Sequence, residues 1–121
     1  MFQVQVVRIY DVPQERGSAR RVLVDRLWPR GVKKDSLGLD AWAKDAAPST
    51  GLRKRYGHDP EHFGEFRDLY LAELAVEPAA SAVAELREMA RETPLILLTA
   101  KRDPERSHAA VLRAVVAGDP V

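Results

Sequence analysis

The run "LILLT", Leu95 to Thr99, is four aliphatic residues and a threonine with no polar face. A strand that shows one side to water alternates, so an unbroken apolar run reads as a strand covered on both faces. A second run of this kind extends from Arg21 to Asp25 around "VLV". The long passage between the two reads as helical, and a helical crossover between strands of one sheet is right-handed and leaves them parallel. Gln3 to Ile9 predicts the first strand, with Phe2, Val4, Val6 and Arg8 on one side and Val7 and Ile9 on the other. The pattern does not assign its direction. Strand, loop, strand, helices, strand, helix defines an α/β class: a small three-layer sandwich with a short, mainly parallel sheet flanked by helices.

The helical passage divides at its turn residues. Leu37 to Lys44 predicts a short helix around Trp42, and Ser49 or Thr50 caps another through Tyr56, with Gly57 at the left-handed position beyond it. From Pro60 to Ala75, Phe63, Phe66, Tyr70 and Leu74 form one apolar stripe. Pro78 suits a first helical position, and Ala79, Val83, Leu86 and Ala90 stripe the helix that follows to about Arg91. Asp103 as N-cap and Pro104 in the first turn open the last helix, whose Ala109, Leu112 and Val116 face the core. At 121 residues the chain is sized for one domain, 1–121.

Composition removes several functions. The chain has no cysteine, which excludes disulfides, thiolate metal sites and cysteine nucleophiles. No run approaches the 18 or so apolar residues of a membrane span, and the alternating start is unlike a signal peptide, so a soluble, cytoplasmic protein is expected. A net charge of +1 is too balanced for bulk nucleic-acid binding. The charges are nevertheless segregated: Asp59 to Glu92 holds nine acids and three bases, leaving sixteen bases and nine acids elsewhere. The acids fall on helical pattern and read as a solvated face. The basic remainder needs its own explanation.

Ligands of parallel sheets bind beyond the carboxyl ends of the strands, beside helix N-termini. Three segments reach that edge if the strands are parallel: Arg8, Tyr10 and Asp11; Asp25 to Arg30; and Lys101 to His108. Arg26 and Arg30 offer planar forks for a carboxylate or phosphate, and the helix opening at Pro104 adds amide donors. Asp25 is then an orienting group or a base, and Lys101 or His108 supplies a charge or a proton. Duller readings stand beside these. Asp25 and Arg26 also read as structural ion pairs, Trp28 and Pro29 as a packing corner, and His108 as a satisfied histidine on the stripe of Leu112 and Val115. His58 and His62 are four apart but lack a third ligand, so no metal is expected. No Walker, Rossmann or nucleophile-elbow pattern occurs, and no cofactor is specified.

The strings "VDRLWPRG", "APS..LR" and "HDP..F..F...Y..EL", together with "LILLTAKRDPERSHAAVL", resemble the domain of unknown function 488 family in its short YeaO-like branch. The resemblance covers nearly the whole chain and implies a small bacterial α/β protein without an established activity. Its signature falls on Arg8, Tyr10, Asp25, Arg26 and Arg30, and adds Lys44, Ser49, Arg53 and His58. A longer branch often carries a cysteine and an arginine beside the counterpart of His108; both are missing from "RDPERSHAA", which puts thiol chemistry in doubt here. A Ser49-capped helix bearing Arg53 is a second anion-friendly point.

Three accounts follow. In the first, a small phosphorylated or carboxylated ligand is bound or transformed, with Arg26, Arg30 and Arg53 as clamps and Asp25 and His108 as acid-base groups. In the second, a non-catalytic regulatory or interaction module presents its basic face to a protein or nucleic acid. In the third, the arginines form an internal network around Asp25 and Asp40 that holds the loops.

Overall fold

A computed structural model describes residues 2–15, 17–56 and 60–121. Gly57, His58 and Asp59 lie outside the described residues, and with them the expected left-handed glycine and the His58 ligand. Four strands, β1 (Val4–Arg8), β2 (Arg20–Leu23), β3 (Ala41–Trp42) and β4 (Leu95–Thr99), form one sheet in the order β1-β4-β2-β3. Every pairing is parallel. The direction of the first strand is thereby fixed, and the residues after β1 join those after β2 and β4 along one edge.

The apolar runs occupy the middle of the sheet for the expected reason. In β4, Leu95 and Leu97 face one side and Leu98 the other, and all three are fully buried. The neighbouring strands match this register: Val22 lies opposite Leu97, and Leu23 opposite Leu98. Burying a leucine of this kind contributes about 2–3 kcal/mol.

The two covering layers differ. Helices α1 (Thr50–Tyr56), α2 (Phe63–Leu74), α3 (Ala79–Glu92) and α4 (His108–Ala117) supply the larger core on the side of Val22, Val24 and Leu97. The opposite side, around Leu23, Leu98 and Ile9, is closed by loop residues such as Leu37, Val32 and Trp28 and by 3-10 turns. Arg21 pins that loop layer. Its buried guanidinium donates to the carbonyls of Leu37, Pro13 and Glu15 at 3.1, 2.6 and 3.1 Å. No helix among the described residues is long and apolar enough to cross a membrane.

Some sequence boundaries are corrected. Residues 37–44 form no α-helix; Trp42 sits in β3, the edge strand beside β2, and its indole donates to the Asp25 carbonyl at 2.7 Å. A strand of two residues has too little periodicity to declare itself, and its partner strand supplies the pairing. The final helix does not start at Pro104 either. Pro104–Arg106 is a separate 3-10 turn, Asp103 makes no side-chain cap, and Ser107 caps α4 by accepting from the Ala109 amide at 3.2 Å. His108 is therefore the first residue of α4.

Candidate anion-binding cleft

A cleft of about 850 Å³ opens over the carboxyl ends of β1, β4 and β2. Arg8 and Tyr10 line it after β1, Asp25 to Pro29 after β2, and Ala100 to Asp103 after β4, with Arg106, Ser107 and His108 beyond. Helix α1 adds Arg53 and Tyr56, and α2 adds Phe63 and Phe66. Among the described residues, six cationic side chains, Arg8, Arg26, Arg53, Lys101, Arg102 and Arg106, face two carboxylates, Asp25 and Asp103.

Asp25 locks the strand ends together. Its Oδ2 accepts the Ala100 amide at 2.8 Å, and its Oδ1 accepts the Thr99 hydroxyl at 2.7 Å and lies 3.1 Å from His108 Nε2. Burial by itself would raise the Asp25 pKa. The hydrogen bond and charge of His108, with the Ala100 amide and the Thr99 hydroxyl, outweigh it and hold the carboxyl below its ordinary value. His108 Nε2 also lies 3.0 Å from the Val24 carbonyl. With two acceptors around it, Nε2 is assigned the proton. The ring is 5% exposed and meets Tyr70 edge-on at 6.2 Å. Both members of the expected acid-base pair are thus turned toward the protein interior and toward each other.

The cations separate by what they hold. Arg26 donates to the Pro48 and Ala47 carbonyls at 2.9 and 3.0 Å, fixing the chain ahead of α1. The Tyr70 hydroxyl donates to Ala46 in the same stretch. Arg8 differs: its Nε is buried and makes no hydrogen bond to the described residues, and its guanidinium stands 4.8 Å from the centre of the Tyr10 ring. Burial holds Lys101 below its ordinary value, Asp25 pulls it back up, and Arg53 pushes it further down. A cation depressed in this way regains stability when an anion arrives.

Three expected ligand residues lie off the cleft. Arg30 is exposed beyond the Pro29 corner. Lys44 rests its ammonium 4.0 Å from the Trp42 ring centre. Ser49 does cap α1, its Oγ accepting from the Leu52 amide at 3.1 Å, but its amide and hydroxyl donate to Glu73 at 2.8 and 2.6 Å. A carboxylate of the protein already fills the place suggested for an anion. Arg102 and Arg106 were not singled out from the sequence, although "AKRDPER" directly follows an apolar strand run and carried the signal. The Trp28-Pro29 pair is indeed a packing corner: Trp28 donates to the Val32 carbonyl at 2.6 Å and meets Trp42 edge-on at 5.4 Å.

This small parallel α/β fold, with arginines gathered at its strand ends, falls in the domain of unknown function 488 family, to which the chain belongs. The family model that matches, over residues 3–119, is described as the inactive DUF488-N3 subclade. An uncharacterized protein of Mycobacterium tuberculosis (strain H37Rv) is 44% identical over 117 residues, covering 96% of this chain and 95% of that protein. The uncharacterized protein YeaO of Escherichia coli K12 is 43% identical over 111 residues, covering 92% of this chain and 94% of YeaO. No solved structure gives a significant match.

Proposed function

We propose that the cleft binds a small phosphorylated or carboxylated molecule and that the chain acts as a ligand-binding module without turning it over. The observation that carries this reading is the convergence of six cations on one cleft, among them an arginine whose buried Nε makes no hydrogen bond to the described residues. Arg8, Lys101, Arg102 and Arg106 are the clamp in this account, and Arg53 faces them from α1. Arg26 shapes the rim by holding residues 47 and 48.

Binding without chemistry is supported from three sides. A general base needs reach to a substrate proton, and His108 is almost fully buried with Nε2 committed to Asp25 and Val24. The chain has no cysteine to act as nucleophile. The matching subclade is described as inactive. In this reading Asp25 and His108 are positioning residues that hold β2, β4 and α4 in register at the cleft. The ligand is expected to be a cytoplasmic metabolite.

The test is a thermal-shift screen against phosphate, pyrophosphate, sulfate and citrate, with chemical analysis of each ligand after long incubation. Saturable stabilisation with the ligand recovered unchanged is expected. Recovery of a transformed ligand would return Asp25 and His108 to catalytic roles, and a flat screen would remove the binding reading.

A further inference from the structure

The size of the cleft poses a question that charge leaves open. At about 850 Å³ it lies toward the upper end of the roughly 300–1,000 Å³ range of sites for organic ligands, far beyond what a phosphate or carboxylate group fills. Something uncharged and sizeable must accompany the anion, and the lining restricts what it is. A free sugar or polyol needs several carboxylates and amides for its hydroxyls, yet among the described residues the lining contains no asparagine or glutamine, and both oxygens of Asp25 are engaged by Thr99, Ala100 and His108, which leaves Asp103 for a single sugar contact. An acyl chain needs an aliphatic channel, and Leu27 is the one large aliphatic residue of the lining among the described residues. Aromatic residues instead arrive from separate elements: Tyr10 after β1, Trp28 after β2, and Phe63 at the start of α2. Flat π surfaces beside clustered cations suit a planar base joined to phosphate.

Resting on the anion-binding reading above, we propose that the ligand class is a nucleoside phosphate, with its base stacked on Tyr10 and its phosphate held by Arg8, Lys101, Arg102 and Arg106. Tyr10 is 59% exposed at the rim of the cleft. The Arg8 guanidinium lies over its ring at 4.8 Å, so a cation holds one face and the exposed surface belongs to the rest of the ring. Arg8 therefore serves both halves of the ligand: it fixes the stacking platform and presents its charge to the phosphate. Asp103, exposed on the same rim, is placed for a ribose hydroxyl or an exocyclic amine. A mononucleotide or dinucleotide is favoured over a nucleic-acid strand, because a net charge of +1 gives little attraction for a long polyanion.

Isothermal titration of the full chain with pyrophosphate, ribose 5-phosphate, AMP, ADP and a five-nucleotide oligomer tests this. AMP is expected to bind at least about fivefold more tightly than ribose 5-phosphate, the low end of one base-aromatic stack. Tyr10→Ala should bring the preference for AMP over ribose 5-phosphate down to parity, and Tyr10→Phe should restore it. Because Tyr10 is exposed, neither variant disturbs the core. Equal affinity for AMP and ribose 5-phosphate in the wild type overturns the base platform while leaving the anion site standing. No binding of any phosphate overturns the anion site itself. Tightest binding of the oligomer, with a steep salt dependence, overturns the small-ligand class.

Discussion

Asp25 and Thr99 stand 74 positions apart in the chain and are joined by a 2.7 Å hydrogen bond in which the threonine hydroxyl donates to Oδ1. The adjoining Ala100 amide donates to the other carboxylate oxygen. Through these two bonds the end of β2 closes the end of β4, and His108 draws the start of α4 into the same knot. The cleft exists because this junction holds the ends of β2 and β4 and the start of α4 at fixed spacing.

Replacing that carboxylate should have a pH signature. Asp25→Asn is expected to destabilise the protein by roughly 1–3 kcal/mol near neutral pH, since hydrogen bonds to a charged acceptor weaken. The folded carboxyl lies below its ordinary 3.8, so its stabilisation is fully present above that value and is lost as pH falls through the lower folded value. The gap between wild type and variant should narrow below about pH 4. Urea denaturation at pH 7 and pH 3 measures it, and a gap that does not change contradicts the assignment.

Arg26 and Arg30 look equivalent in "DRLWPRG" and should behave differently. Arg26→Ala removes two bonds to the Pro48 and Ala47 carbonyls, leaving those acceptors unmet at a cost of about 1–3 kcal/mol, or several degrees in melting temperature. Arg30 is exposed off the cleft, and Arg30→Ala should stay within about 0.5 kcal/mol of wild type. Thermal melts of the two variants compare them directly.

Lys101 predicts the alkaline limit of binding. Burial depresses it below 10.5, so as pH rises it loses its charge earlier than an ordinary lysine, and affinity for sulfate, which does not titrate there, should fall with it. Lys101→Arg keeps its charge over this range and should flatten the profile. Titrations between pH 7 and pH 10 provide the comparison; parallel profiles in both proteins would remove Lys101 from the clamp.

Glu73 separates the Ser49 helix end from the site. Glu73→Gln weakens its bonds to the Ser49 amide and hydroxyl and should cost about 1–2 kcal/mol of stability without changing anion affinity. A large change in affinity would bring Ser49 back into the binding surface.

The contrast between these residues marks where sequence reasoning works. Apolar runs with no polar face announced β2 and β4, and their parallel order led to the edge where Arg8, Tyr10, Asp25, Arg26, Arg53, Lys101 and His108 meet in one cleft. What stayed hidden depends on distant partners. Trp42 is a strand residue because β2 offers it a ladder, and Ser49 is satisfied by a glutamate 24 positions away. Arg21 sat inside an apolar run, and its three carbonyl acceptors come from loops without periodicity. Arginine spacing alone did not separate Arg26, which braces a loop, from Arg8, whose Nε is buried without a hydrogen bond to the described residues.

Arg8 therefore carries the most direct test, a titration of pyrophosphate into wild type, Arg8→Gln and Arg30→Gln, read by calorimetry and by melting temperature. The account predicts saturable binding in the wild type, a melting temperature that climbs with ligand as mass action requires, at least about a tenfold loss of affinity, about 1.4 kcal/mol, in Arg8→Gln, and none in Arg30→Gln. Absence of binding by the wild type, or equal binding by all three proteins, would contradict it.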